Sequence, residues 1–170
     1  FGETFIVPEP VIPKIGARVM GLDNPLVKMA KSYSDVRGHL IRMIDEPKEI
    51  ERSIKRAVTD SGNEIRFSDD PEKAGVNNLL GIYQVITGKS KSEVETDFSD
   101  AVGYGVLKAR VAESVITELA PIREKFNYLM RDLAELDRLL RLGADQARNV
   151  SRPKLDEIKR RIGLTLTDGN

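Results

Sequence analysis

Lys28-Met29-Ala30-Lys31-Ser32 is the stretch of this sequence whose residue types and spacing could do chemistry. Two lysines three residues apart, with a small residue between them and a hydroxyl behind, can surround a polyphosphate. When attack on the α-phosphate of a nucleotide expels pyrophosphate, negative charge grows on the leaving group. Ammonium groups on a loop can meet that charge in the transition state, where electrostatic stabilisation is largest. A small residue lets the loop backbone come close to phosphate, and Ser32 can donate a further hydrogen bond. Spacing alone is a weak signal: a bare Lys-x-x-Lys-Ser is common, and without context a solvated lysine loop is the simpler reading.

The elements around the loop must position it. Residues 1–22 read as extended: Phe5, Ile6 and Val7 are strand formers, and Pro8, Pro10 and Pro13 then break any ladder or helix. Ile15 to Leu22 reads as a buried strand, and Asp23-Asn24-Pro25 as the turn leading to the lysines. Two strands do not make a stable sheet, so these segments want partners outside the chain.

From residue 35 onward the period is helical. Asp45 is expected as an N-cap, with Pro47 in the first turn and Ile50, Ile54, Ala57 and Val58 on one face. Val76, Leu79, Leu80, Tyr83 and Ile86 form the next apolar face, which Gly88 ends. Ser90 and Glu93 make a capping box for a short helix through Phe98. A helix after Gly103-Tyr104-Gly105 carries Val106, Leu107, Val111 and Val115. Pro121 is expected to begin another helix, Leu133 a further one with Leu136, Leu139, Leu140 and Leu142 apolar, and Ser151 with Pro153 a last one stopped by Gly163. The tail from Thr165 to Asn170 is expected to fray.

Composition narrows the classes. A chain of 170 residues permits one domain or two small ones and can bury a core. Lys plus Arg and Asp plus Glu balance at 27 each, so nothing global attracts nucleic acid or membrane and any polyanion site must be local. There is no cysteine, which excludes disulfides, thiolate metal sites and Cys nucleophiles and is compatible with a cytoplasmic location. No apolar run approaches the roughly 20 residues of a membrane span, and no signal peptide is recognisable.

Context strengthens the lysine loop. The stretch Ile12-Pro13-Lys14 through Arg18-Val19-Met20-Gly21-Leu22-Asp23, followed by Lys28 to Ser32, resembles the segment around the KMSKS signature loop of bacterial tryptophanyl-tRNA synthetases, which are class I aminoacyl-tRNA synthetases. The resemblance continues at Ala57-Val58-Thr59-Asp60-Ser61, Gly75-Val76-Asn77-Asn78-Leu79-Leu80, Ile82-Tyr83, Gly103-Tyr104-Gly105 with Lys108, Pro121-Ile122-Arg123-Glu124 and Gly143-Ala144. It runs from about Phe5 to Gly163, and the order and spacing of the segments are more specific than any one of them.

The resemblance implies a mostly α chain. Residues 1–34 would be the end of a class I Rossmann-like α/β nucleotide-binding domain, with short strands and the lysine loop. Residues 35–170 would be a helical bundle facing the tRNA anticodon, whose last helices can pack back on the catalytic domain. The implied activity is ATP-dependent ligation of L-tryptophan to tRNA(Trp) through tryptophanyl-AMP, with Mg²⁺, by a homodimer. Lys28 and Lys31 fall on the lysines that contact phosphate and pyrophosphate. Val19 falls on the strand position whose backbone meets adenine, and Met29, Ala30 and Ser32 fall on the nucleotide-binding loop. No residue is implied as a metal ligand.

Two departures stand out. Ala30 replaces the family's usual serine, which removes one hydroxyl from the loop. The family also needs a HIGH-type motif before the lysine loop, whereas the single histidine, His39, comes after it and reads as a structural or surface residue. The sequence opens on Phe1 without Met, and the expected relation is to the second half of the enzyme, with the HIGH-type motif and the tryptophan pocket outside this chain. A non-catalytic, synthetase-derived RNA-binding or regulatory module is the alternative. Basic residues from Arg138 to Arg161 could bind RNA phosphates, but interleaved acids make ion-paired, solvated helix faces the simpler reading.

Overall fold

The computed structural model describes residue 2 and residues 4–164. Five α-helices account for most of them: α1 (Pro47–Lys55), α2 (Ala74–Thr87), α3 (Lys91–Asp97), α4 (Tyr104–Met130) and α5 (Leu133–Arg161). Residues 12–126 form one compact unit, and residues 127–170 with 1–11 form a second.

In the first unit the helices bury most of the stripes that their spacing predicts; Val58, expected on the α1 face, lies beyond the end of α1 and is exposed. Ile50 and Ile54 of α1, Val76, Leu79 and Leu80 of α2, Val94 of α3, and Leu107, Val111 and Val115 of α4 are buried in one cluster with Leu22 and Phe98. Fully burying a side chain of this size contributes about 1.5–3 kcal/mol. Close approach is set by Gly75 at the start of α2: a Cβ there would lie 2.0 Å from the Val58 carbonyl oxygen. No residue with a side chain lets α2 pack this near the chain leaving α1.

Local chemistry fixes the helix ends. Ser90 and Glu93 form the expected capping box, with the Ser90 N–H donating to Glu93 Oε2 at 2.8 Å. Gly88 closes α2 in the left-handed region at φ 68°. Gly163, at φ 76°, closes α5 in a Schellman arrangement: its N–H donates to the Arg160 carbonyl, and the Leu164 N–H donates to the Lys159 carbonyl. The N-cap of α1 is Glu46 rather than Asp45. The Asp45 carboxylate accepts instead from the Arg42 N–H at 2.8 Å, closing the preceding turn.

Three sequence expectations are corrected. Among the described residues the segment Ile15–Leu22 forms no strand; its one ladder element is an isolated antiparallel bridge between Met20 and Lys28. Its pairing is spent on the turn that follows and on a side chain, since Asn78 of α2 accepts from the Met20 N–H and donates to the Met20 carbonyl, each at 2.9 Å. Pro121 lies inside α4, and Pro153 inside α5. Each proline removes one N–H, but both prolines are exposed, and the carbonyls four residues earlier belong to exposed Thr117 and Asn149. A solvent-exposed carbonyl can bond to water instead, and the helices continue.

In the second unit α5 buries none of its described residues. Its leucines form no core among the described residues, and Leu140 is 64% exposed. The helix is held by its Asp132 cap, whose side chain accepts from the Glu135 N–H at 3.0 Å, and by a row of ion pairs three or four residues apart.

Candidate functional site

The lysine loop is built on a tight return of the chain. The Asn24 side chain accepts the Leu26 N–H at 3.0 Å, and its carbonyl accepts the Val27 N–H at 3.2 Å. The two arms then meet: the Gly21 N–H donates to the Val27 carbonyl at 2.8 Å, and the Met29 N–H to the Val19 carbonyl at 3.0 Å. Val19 and Met29 are half-buried and pack against the core. Alternation along the return arm then leaves Lys28 outward.

Ala30 is extended, at φ −147° and ψ 149°, and starts a 3-10 turn over Lys31–Tyr33. Lys31 and Ser32 are therefore exposed on a turn of their own. Among the described residues the side chains of Lys28, Lys31 and Ser32 make no hydrogen bond or ion pair. Two cations three residues apart, without internal partners among the described residues, present their charge to solvent or to a ligand.

Val19 also borders an open cleft of about 450 Å³ between residues 14–20 and α2, which Lys14, Arg18, Asn77, Asn78 and Lys91 help to line. Arg18 and Lys14 make no ion pair among the described residues. Lys91 sits over the Phe67 ring, 4.9 Å from its centroid. Val19, Lys28, Met29, Ala30, Lys31 and Ser32 thus lie along one return of the backbone, the valine facing α2 and the lysines outward.

His39 is buried, 2% exposed. Its Nδ1 lies 2.6 Å from Asp23 Oδ1, its Nε2 lies 3.4 Å from the Lys28 carbonyl oxygen, and its ring tilts against Tyr33 at 4.6 Å. Sequence reasoning gave it only a structural or surface role. A lone histidine carries no spacing signal, and nothing in the sequence pairs it with Asp23.

A second polar cluster contrasts with the loop. Asp60 accepts from the Tyr104 hydroxyl at 2.8 Å, from the Gly62 N–H at 2.6 Å and from Lys73 Nζ at 3.1 Å, while Lys73 also donates to the Tyr104 oxygen at 2.9 Å. Burial works to raise the Asp60 carboxyl, but the Tyr104, Gly62 and Lys73 hydrogen bonds outweigh it and hold the group below the ordinary aspartate value. Hydrogen bonds to Tyr104 and then Asp60 raise the Lys73 ammonium above its ordinary value, and burial, reinforced by Asp60, raises the Tyr104 phenol. Every charge here has an internal partner, so the cluster ties the chain before α2 to the start of α4. Only the Gly62 contact is local; nothing in the sequence pairs Asp60 with Lys73 or Tyr104.

A family model described as tRNA synthetases class I (W and Y) matches residues 1–120, which include the lysine loop and the core helices. The tryptophan--tRNA ligase of Wolinella succinogenes is 45% identical over 164 residues, covering 96% of this chain and 49% of that protein. The tryptophan--tRNA ligase of Caldanaerobacter subterraneus is 44% identical over 170 residues, covering 99% and 50%. Among solved structures, tryptophanyl-tRNA synthetase from Mycoplasma pneumoniae superposes with a TM-score of 0.76 at 27% identity, over 90% of this chain and 45% of that one. The Campylobacter jejuni enzyme, in its complex with ADP and tryptophan, gives a TM-score of 0.65 at 28% identity, over 95% and 48%. The chain spans about half the length of the curated relatives it matches. It belongs to the class I tRNA synthetases for tryptophan and tyrosine, in the tryptophanyl-tRNA synthetase family.

Proposed function

We propose that this chain supplies the phosphate-binding loop and a helical tRNA-facing part of an enzyme that joins L-tryptophan to tRNA(Trp) through tryptophanyl-AMP. The observation that carries the reading is the pair of exposed ammonium groups of Lys28 and Lys31, without a partner among the described residues, on a loop whose backbone is fixed at its base. In adenylate formation a tryptophan carboxylate oxygen attacks the α-phosphorus of ATP. The bond from that phosphorus to the α,β-bridging oxygen breaks, and pyrophosphate leaves with the electron pair. Lys28 and Lys31 meet the charge that grows on the leaving group, and the Ser32 hydroxyl donates to a phosphate oxygen. Ala30 keeps the loop small enough for close approach while contributing no hydroxyl. The adenine base is assigned to the Val19 backbone, whose N–H makes no hydrogen bond among the described residues.

Among the described residues no group of three or more acidic or histidine side chains converges as a metal site. Magnesium is assigned to the nucleotide's own phosphates, where it would neutralise charge beside the lysines. The tryptophan pocket and the HIGH-type phosphate contacts are assigned to sequence that this chain does not hold.

The test is tryptophan-dependent ATP–pyrophosphate exchange in the full-length protein. Lys28→Ala and Lys31→Ala are each expected to lower exchange by about 100-fold or more, the scale of losing a transition-state charge contact, with tryptophan binding nearly unchanged. Parental exchange in both variants would sink the role.

A further inference from the structure

We propose that His39, held by Asp23, is a positioning residue for the lysine loop: it fixes both flanks of Lys28–Ser32 so that the two ammonium groups face one polyphosphate. This rests on the reading of the loop given above.

The lysine side chains have no internal partner among the described residues, so their placement depends on the backbone beneath them. On the near side that backbone is set by the Met20–Lys28 bridge and on the far side by the 3-10 turn over Lys31–Tyr33. One imidazole touches both. Its Nε2 faces the Lys28 carbonyl oxygen, its face lies against the Tyr33 ring, and its Nδ1 is bound to the Asp23 carboxylate in the turn between the two arms.

The main chain repeats the connection, since the Leu22 N–H donates to the His39 carbonyl at 3.0 Å and the Val58 N–H donates to the Leu22 carbonyl at 2.7 Å. The loop is thereby referred to the core through the residue that leaves α1. Space is made for the ring by Gly21, where a Cβ would lie 2.4 Å from His39 Cε1. An apolar residue of similar size would fill the pocket but would hold neither Asp23 nor the Lys28 carbonyl. His39 reaches no lysine side chain atom by a hydrogen bond among the described residues, so its effect passes through the loop backbone.

Asp23→Asn is the variant that spares the fold, because the Asp23 side chain is 37% exposed and asparagine keeps an acceptor. In full-length protein it is expected to raise KM for ATP and lower kcat of pyrophosphate exchange by about tenfold in kcat/KM, with KM for tryptophan and the thermal midpoint held. His39→Gln, which keeps one amide donor in the pocket, is expected to do the same. In a Lys31→Ala background the Asp23→Asn effect is expected to shrink below about twofold, as for two groups acting on one contact. The inference is overturned if Asp23→Asn keeps parental ATP kinetics, if it worsens KM for tryptophan as much as for ATP, or if its effect is undiminished in the Lys31→Ala background. Inactive lysine variants beside a parental Asp23→Asn would overturn this inference alone. Parental lysine variants would overturn the reading on which it rests.

Discussion

The lysine loop and α5 both carry clustered cations, and they differ in how far the local geometry supplies partners. Lys28 and Lys31 stand exposed and have no partner among the described residues; the carboxylate in the turn before them, Asp23, is occupied by His39. Along α5 five cations are matched, Arg138 with Glu135, Arg141 with Asp137, Arg148 with Asp145, and both Lys154 and Arg161 with Glu157, while Arg152, Lys159 and Arg160 make no ion pair among the described residues. A helix brings residues three and four apart together, so alternating charge pairs itself. The extended return that carries Lys28 does not, because alternate residues face opposite ways, and in the 3-10 turn that carries Lys31 the residue three on is the uncharged Ser34. Basic residues in a sequence therefore signal a ligand less by number than by whether the local geometry supplies partners.

The largest effects come from exchanging the charges. Lys31→Glu in the full-length protein is expected to lower ATP–pyrophosphate exchange by about 1000-fold, since it places an anion beside the leaving pyrophosphate. Arg148→Glu on α5 is expected to stay within about twofold in the same assay. Comparable losses at both positions would remove the distinction between loop and helix.

Next come the apolar positions. Leu107 of α4 is 0% exposed, and Leu107→Ala is expected to cost about 2–5 kcal/mol of unfolding free energy, depending on how far the site collapses. Leu140→Ala on α5 is expected to cost less than about 0.5 kcal/mol in this chain. Urea denaturation of the two variants measures the contrast.

How much of this was legible follows from the range of the signals. Ser90 with Glu93, Gly88 and Gly163 are local chemistry, and the helix ends they announce are present. Pro121 and Pro153 misled because a proline's cost depends on whether water reaches the carbonyl four residues back, which a sequence does not show. Ile15–Leu22 has strand-like residues, but a strand is a relation between segments, and Asn78 takes the hydrogen bonds at Met20. The lysine loop was legible as residue types at a spacing; its freedom from internal partners was not. His39 with Asp23 and the Asp60–Lys73–Tyr104 cluster depend on residues 13 to 44 positions apart, where no periodicity reaches.

That cluster gives an intermediate prediction with a pH signature. Tyr104→Phe removes a hydroxyl that both donates to Asp60 and accepts from Lys73, and is expected to cost about 1–2 kcal/mol. Asp60 has a depressed folded value, so its contribution is present above the ordinary aspartate pKa and is lost as pH falls through the folded one. Lys73 and Tyr104 have raised folded values. Their contributions are complete below their ordinary ranges and are lost as pH rises through the folded ones. The urea midpoint should thus fall at both extremes, and Asp60→Asn should flatten the acid limb. An unchanged acid limb in Asp60→Asn would show that other carboxylates carry it.

The smallest expected effect tests the helix side of the comparison. Arg148 and Asp145 are both 69% exposed, with Nη1 2.8 Å from Oδ1. An exposed pair three residues apart contributes about 0.2–0.5 kcal/mol at low salt and less as screening shortens the Debye length. Arg148→Ala should therefore lower the urea midpoint slightly at low ionic strength and hardly at all in 1 M salt. The order matters more than the size. If the effect grows with salt, the arginine is packing its stem rather than pairing its charge. If the effect vanishes at every salt concentration, the charge is not needed for α5. A measurable loss of tRNA affinity in the same variant would then turn α5 from a self-paired helix into a surface that exchanges its carboxylates for phosphates, narrowing the contrast with the lysine loop to one of degree.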